Sequence, residues 1–185
     1  RHQMLVEVRD FFAARYPVTC AEYLSFLREL DRSDPEGAAA CAPRVRNGGD
    51  LLWQKDQSGS YQLPSVDDQG LHWDSHWPVM GISFDDARAY CAWLAQRTGQ
   101  PIRLPTEHEW EKAGRSADGR AYPWGDYFEP TYCKMALSRD SAPTPEKVGQ
   151  FSADRSPYGI YDMAGLVSEY CDSQYSGAED QRVGR

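Results

Sequence analysis

At three places along the chain a hydroxyl residue followed three places later by an acid stands directly before a segment that reads as a helix. The pairs are Thr19 with Glu22, Ser83 with Asp86, and Thr106 with Glu109. In such a capping box the hydroxyl accepts from the third backbone N–H of the helix while the acid returns to the cap's own N–H. Each box therefore marks the start of a helix. After Thr19, apolar side chains recur at Cys20, Tyr23, Leu24, Leu27 and Leu30, one face of a helix from about Ala21 to Leu30, with Asp31 to Pro35 as its stop. After Ser83 the stripe is Ala87, Tyr90, Cys91 and Leu94, and Gly99 is placed to close the helix in a left-handed conformation before Pro101. Thr106 opens a short third helix to about Ala113.

Between these helices no period is sustained. Residues 36–77 are punctuated by Gly, Asp, Ser and Pro around two candidate strands, Leu51 to Gln54 and Ser60 to Leu63. Beyond Gly114 the turns are dense: Pro123-Trp124-Gly125-Asp126, Ser156-Pro157-Tyr158-Gly159 and Ala164-Gly165. The expectation is an α+β protein with few short helices, short strands and many ordered loops, folded as a single domain over residues 1–185. Six Trp and eleven Tyr suit loops that must pack on one another.

The formal charge of −8 argues against a nucleic-acid partner, since no basic patch offsets it. No stretch approaches the length of a membrane span. No signal peptide opens the sequence, and with five cysteines, an odd number without a CxxC knuckle, the pattern is that of reduced thiols in a cytoplasmic protein. Cys20 and Cys91 read as buried structural thiols. A pairing among Cys133, Cys171 and Cys41 stays open at this point. His72 and His76 lie in a loop-like stretch before Trp77-Pro78, so their spacing does not place them on one helical face as metal ligands would need.

Five blocks in order resemble the formylglycine-generating-enzyme (sulfatase-modifying-factor) family. They are Tyr16-Pro17-Val18-Thr19 with Glu22-Tyr23; Trp77-Pro78-Val79 through Asp86-Ala87 and Ala89-Tyr90-Cys91; Arg103-Leu104-Pro105-Thr106-Glu107 with Glu109-Trp110-Glu111; Tyr122 to Asp126; and Ser156 to Gly165. The resemblance covers most of residues 15–171, and Arg182 to Arg185 resembles the start of the family's arginine–glycine-glycine strand. It implies an elaborated C-type-lectin-like fold. It also implies two alternative functions: a non-catalytic binding or sensory module with a protein or peptide ligand, attached to a bacterial protein kinase or a variable display protein, or a copper-dependent oxidase that converts a sulfatase cysteine to formylglycine.

The family's copper-binding cysteine pair has no counterpart here, so no catalytic or cofactor-binding residue is assigned, and copper is expected only if those cysteines follow outside this sequence. Calcium is the other cofactor the resemblance brings in. The family's G-N-x-x-E run reads Gly165-Leu166-Val167-Ser168-Glu169, so Leu166 stands where the pattern has Asn, while Val167 and Glu169 remain as degenerate calcium-type positions. A second site falls on Cys133-Lys134-Met135. Two readings of Lys134 stand: its ammonium replaces the ion and pairs with a carboxylate such as Asp140, or it is a solvated lysine. Cys41-Ala42-Pro43-Arg44 misses the sulfatase motif Cys-x-Pro-x-Arg, because Val45 stands where Arg is required. Trp110, Trp124, Tyr158 and Tyr161 fall on recurring aromatic positions and are expected in the core. Arg103 and Glu109 are expected to tie loops by hydrogen bonds.

Overall fold

The computed structural model describes residues 6–45, 49–66, 70–139, 144–174 and 182–184. The helices are α1 (Cys20–Ser33), α2 (Pro35–Cys41), α3 (Phe84–Thr98) and α4 (Glu107–Arg115), with a 3-10 turn at Pro130–Tyr132. Two strands, β1 (Tyr170–Gln174) and β2 (Arg182–Gly184), pair antiparallel with Tyr170 opposite Gly184 and Gln174 opposite Arg182. The rest of the described chain is turns and single bridges, so the α+β architecture of few elements and many ordered loops holds. The contacts resolve two compact units, Pro17–Leu104 with Thr144–Val148, and Arg1–Tyr16 with Pro105–Pro143 and Gly149–Arg185.

All three capping boxes form. The Thr19, Ser83 and Thr106 side chains accept from the N–H groups of Glu22, Asp86 and Glu109, whose carboxylates return to the cap N–H groups. Each cap is worth ~1 kcal/mol. Gly99 closes α3 in the left-handed region (φ 68°, ψ 16°), as its place in the sequence requires. α1 runs one turn beyond the expected end at Leu30. There Asp34 breaks it, caps α2 by accepting from the Gly37 N–H, and Pro35 takes the first helical position, where no N–H is needed. The candidate strands reduce to isolated bridges, Arg44 with Leu51 and Lys55 with Tyr61. The turn between the latter pair is held by Asp56, whose carboxylate accepts from the N–H groups of Ser58 and Ser60.

In the unit that carries α1 to α3, the core is aromatic. Tyr23, Phe26, Trp53 and Tyr61 are almost fully buried, and Tyr90 stacks on Tyr23 at 5.6 Å while Trp53 meets it edge-on at 5.9 Å. Each such pair adds roughly 0.5–1.5 kcal/mol to the burial of its rings. The Tyr23 hydroxyl donates to the Cys41 carbonyl at 2.9 Å, so its polar tip is satisfied. Backbone bonds Cys20 N–H to Trp77 O (2.8 Å) and Val79 N–H to Val18 O (2.8 Å) bind the start of α1 to the Trp77-Pro78-Val79 segment. Two of the expected family blocks thus meet through their backbones. Arg103 donates to the Leu104 carbonyl at 3.0 Å, a local tie.

Gly81 is required twice over. Its φ is +75°, and a Cβ would stand 2.5 Å from the Arg44 carbonyl oxygen, which lies beside the bond from the Arg44 N–H to the Gly81 carbonyl. Gly59 has a similar φ of +81° but open space around it. Gly59→Ala should therefore cost ~1 kcal/mol in urea unfolding, the torsional term alone. Gly81→Ala should cost at least ~2 kcal/mol, because backbone must also shift. Equal losses at the two positions would show that the close approach to Arg44 is not structural.

Candidate functional site

The unit that carries α4 and the β1–β2 pair is organised around a buried carboxylate. Asp154 is 1% exposed and accepts from the Ala164 N–H at 3.0 and 3.2 Å, while the Asp162 N–H donates to its carbonyl at 2.9 Å. Asp162 in turn accepts from the Gly149 N–H at 2.6 Å. These bonds hold residues 162–166 in a conformation with two non-glycine left-handed residues, Asp162 (φ 62°) and Leu166 (φ 71°). Asp adopts that region readily; Leu does so at a cost of roughly 1–2 kcal/mol.

Four of the sequence-derived site residues come together here. The Leu166 N–H donates to the Lys134 carbonyl at 2.9 Å, and Gly165 approaches so closely that a Cβ would lie 2.3 Å from that same oxygen. The Val167 N–H donates to the Gly165 carbonyl at 3.0 Å. Glu169 turns its carboxylate to the Trp110 indole N–H, joining the loop to α4, and the Asp172 N–H donates to the Pro105 carbonyl at 2.8 Å. Lys134 therefore meets the 165–166 turn through its backbone. Asp140, the fifth expected residue, lies outside the described residues.

Burial sets the electrostatics. It pushes Asp154 up to about 7, helped by the neighbouring charges of Asp162 and Glu169 and opposed by the N–H groups of Ala164 and Met163. Asp162 and Glu169 are raised by the same desolvation, the Gly149 N–H and the Trp110 indole opposing it. All five cysteines are free thiols; burial pushes Cys20 up to about 12, raises Cys91, and lifts Cys41, Cys133 and Cys171 to about 11. Thiols so raised are protonated near neutrality and poor metal ligands or nucleophiles. Among the described residues no group of three or more His, Cys, Asp or Glu is arranged to hold a metal ion.

Two concave regions flank these turns. One, about 360 Å³, is walled by Trp110, Met163 and the 164–168 backbone. The other, about 460 Å³, is lined by Arg120, Pro123, Arg155, Ser156 and Tyr158 among others. Its 155–161 wall is a tight turn in which the Ser156 N–H donates to the Ile160 carbonyl and the Gly159 N–H to the Ser156 carbonyl, both at 2.8 Å. That turn presents Tyr158 outward, 53% exposed, contrary to the core position expected from sequence. The cause is local: Pro157 and Tyr158 occupy the tip of the turn, while the flanking Ser156 and Asp162 are buried. Trp110, Trp124 and Tyr161 are only partly buried; Trp124 stacks on Tyr122 with ring centres 5.1 Å apart and donates its indole N–H to the Tyr127 carbonyl. Sequence reasoning gave no role to Asp154, Asp162 or Arg155. Asp162 fell inside the Ser156 to Gly165 block of the resemblance, but nothing in the pattern marks Asp154 as buried.

A raised carboxyl makes stability fall as pH rises. Protonated Asp154 is favoured in the folded chain, so its contribution is complete below its ordinary value of 3.8 and is lost as pH climbs to about 7. The difference in unfolding free energy between the native protein and Asp154→Asn should therefore change by up to ~4 kcal/mol between pH 4 and 7.5, the variant gaining relative ground at high pH. Lowered carboxyls such as Asp74 and Asp118 titrate in both proteins and cancel from this difference. A pH-independent difference would place Asp154 with the ordinary carboxylates.

Comparison with known proteins bears on the whole chain. The family description that matches is the Sulfatase-modifying factor enzyme 1-like domain, over residues 2–185. The protein named inactive C-alpha-formylglycine-generating enzyme 2 of Bos taurus is 32% identical over 96% of this chain and 65% of its own. Hercynine oxygenase of Mycolicibacterium smegmatis is 30% identical over 91% of this chain and 38% of its own. Serine/threonine-protein kinase pkn1 of Chlamydia caviae is 34% identical over 53% of this chain and 14% of its own. The chain thus spans less than two thirds of the length of these relatives. Among solved structures, PvdO from Pseudomonas aeruginosa superposes with a TM-score of 0.59 at 21% identity, over 87% of this chain and 56% of that one, a likeness of fold. The five ordered sequence blocks, the capped helices and these matches lead to one conclusion: the chain belongs to the sulfatase-modifying factor enzyme 1-like family.

Proposed function

We propose that this chain acts as a non-catalytic binding or sensory module on the family's scaffold. The observation that carries the reading is the use made of the degenerate ligand positions. Glu169 is engaged by Trp110, and the carbonyl of Lys134 receives the Leu166 N–H. On this reading the degenerate calcium-type positions serve the fold and not an ion. The name "inactive" on the Bos taurus relative, and the kinase among the similar proteins, support the same reading. A protein or peptide ligand belongs to this proposal. A single domain over 1–185, a C-type-lectin-like description of the scaffold and a cytoplasmic location belong to this proposal. A family match across residues 2–185 supports the first, few elements joined by ordered turns the second, and five unpaired thiols the third. No described helix is long and apolar enough to cross a membrane.

A second reading has its own support, the similarity to hercynine oxygenase over 91% of the chain. It makes the protein a copper-dependent oxidase of the formylglycine-generating type, with its catalytic cysteines outside this sequence. Incubating the full-length protein with Cu(I), oxygen and a peptide containing Cys-x-Pro-x-Arg separates the two. The expected outcome is no conversion of the peptide cysteine by mass spectrometry, and stoichiometric turnover would replace the first reading with the second.

Calcium gives an independent measurement. If Lys134 stands in for the ion, millimolar Ca²⁺ should leave the melting temperature unchanged to within ~1 °C, because no bound-state stabilisation is available. A calcium-dependent rise that disappears in Asp140→Ala would restore a cation to that loop.

A further inference from the structure

The second cavity carries charge that the binding-module reading leaves unused. Arg155 lines it beside Ser156 and Tyr158, and Arg120 lines the facing 120–123 segment. Arg120 is already compensated: its guanidinium meets Asp118, with one bond at 3.0 Å, and also donates to the Pro123 carbonyl at 3.1 Å. Arg155 is not. Its guanidinium carbon stands 6.0 Å from the centre of the Tyr161 ring, and that of Arg15 stands 5.3 Å from the same ring. Among the described residues neither arginine has a carboxylate within ion-pair distance. Both are exposed.

In a chain of formal charge −8, two uncompensated guanidiniums brought to one tyrosine are out of keeping with their surroundings. Arginine stays charged at any accessible pH and presents a planar fork of donors that matches the oxygens of a phosphate or sulfate. Both guanidiniums hold the Tyr161 phenol below its ordinary range, Arg15 first and then Arg155, chiefly by hydrogen bonding to it and less by their charge. The remaining wall supplies a different contact. Tyr158 is 53% exposed at the tip of its turn, and Pro157 and Pro123 are also part of the lining. The cavity, about 460 Å³, has room for a small ring-bearing ligand.

We propose that this cavity binds a doubly charged oxyanion, the phosphate group of a small monoester or the free phosphate or sulfate ion, with Arg155 as the direct donor, Arg15, which meets Tyr161 outside the cavity lining, as the second charge, and Tyr158 against an aromatic substituent. The proposal adds a small anionic ligand, at this one cavity, to the binding-module reading and rests on that reading. Peptide oxidation in the copper experiment would remove that reading, whereas the titrations below judge the cavity alone.

The test is calorimetric titration of the full-length protein with phenyl phosphate, inorganic phosphate and benzoate at low ionic strength. Phenyl phosphate should bind at least about tenfold more tightly than benzoate, the single charge of which satisfies one guanidinium only. Arg155→Gln should weaken phenyl phosphate by about tenfold or more, and Arg15→Gln by less, with melting temperatures unchanged. Tighter binding of phenyl phosphate than of inorganic phosphate, lost in Tyr158→Ala, assigns the site to an aromatic ester; equal binding assigns it to the free ion. Benzoate binding as tightly as phenyl phosphate, or Arg155→Gln leaving every affinity unchanged, overturns the proposal.

Discussion

One interaction sets the geometry of the loop-rich unit: the buried carboxylate of Asp154 receiving the Ala164 N–H. Taking a carboxylate out of water is costly unless its oxygens are bonded, and here burial still outweighs the bonds made, since the group is pushed up to about 7. The gain is positional. With Asp154 fixed, the turns on either side of it, 149–154 and 160–166, are fixed relative to each other, through the Asp162 N–H on one side and the Asp162 carboxylate on Gly149 on the other. The bond from the Leu166 N–H to the Lys134 carbonyl, the path to Glu169 and the outward placement of Tyr158 follow from that arrangement. Residues with no regular secondary structure are thereby ordered without a long strand to pair with.

What was legible in the sequence divides along the range of the interactions involved. A capping box is complete within four residues, so Thr19, Ser83 and Thr106 announce their helices wherever they occur, and all three form as read. Gly99 is legible for the same reason. α2 escaped because at seven residues its Pro-Glu-Gly-Ala-Ala-Ala-Cys carries too few apolar side chains for a period, although Asp34 followed by Pro35 is a start signal in its own right. The segments at 51–54 and 60–63 have strand composition, but a strand needs a partner over several residues, and the structure gives each only a single bridge.

The candidate site was half legible in the same sense. Lys134, Leu166, Val167 and Glu169 were picked out by resemblance, and the structure does bring their segments together. Their interactions were not readable, because they run through backbone carbonyls and an indole far away in sequence: Glu169 to Trp110, Leu166 to Lys134. Asp154, Arg155 and Arg15 were passed over entirely. A buried aspartate and two exposed arginines look alike in a sequence, where neither burial nor the absence of a counter-charge is written.

On the reading proposed above, the left-handed Leu166 shows how a calcium-type site would lose a ligand and keep its shape. Asn is among the residues that tolerate this region of backbone space, so the family's G-N-x-x-E pattern places its ligand where the torsion is already suited to it. Leu at φ 71° gives up both the oxygen and the torsional fit, a cost of roughly 1–2 kcal/mol. The turn nevertheless retains its bond from the Leu166 N–H to the Lys134 carbonyl, and Gly165 retains the missing Cβ that this approach demands. Both contacts are made by backbone, and so neither depends on the side chain at 166. On the reading proposed above, the shape of the loop was never the ion's to maintain: backbone bonds and Asp154 hold it, which leaves the side chains around it free to change without loss of the fold.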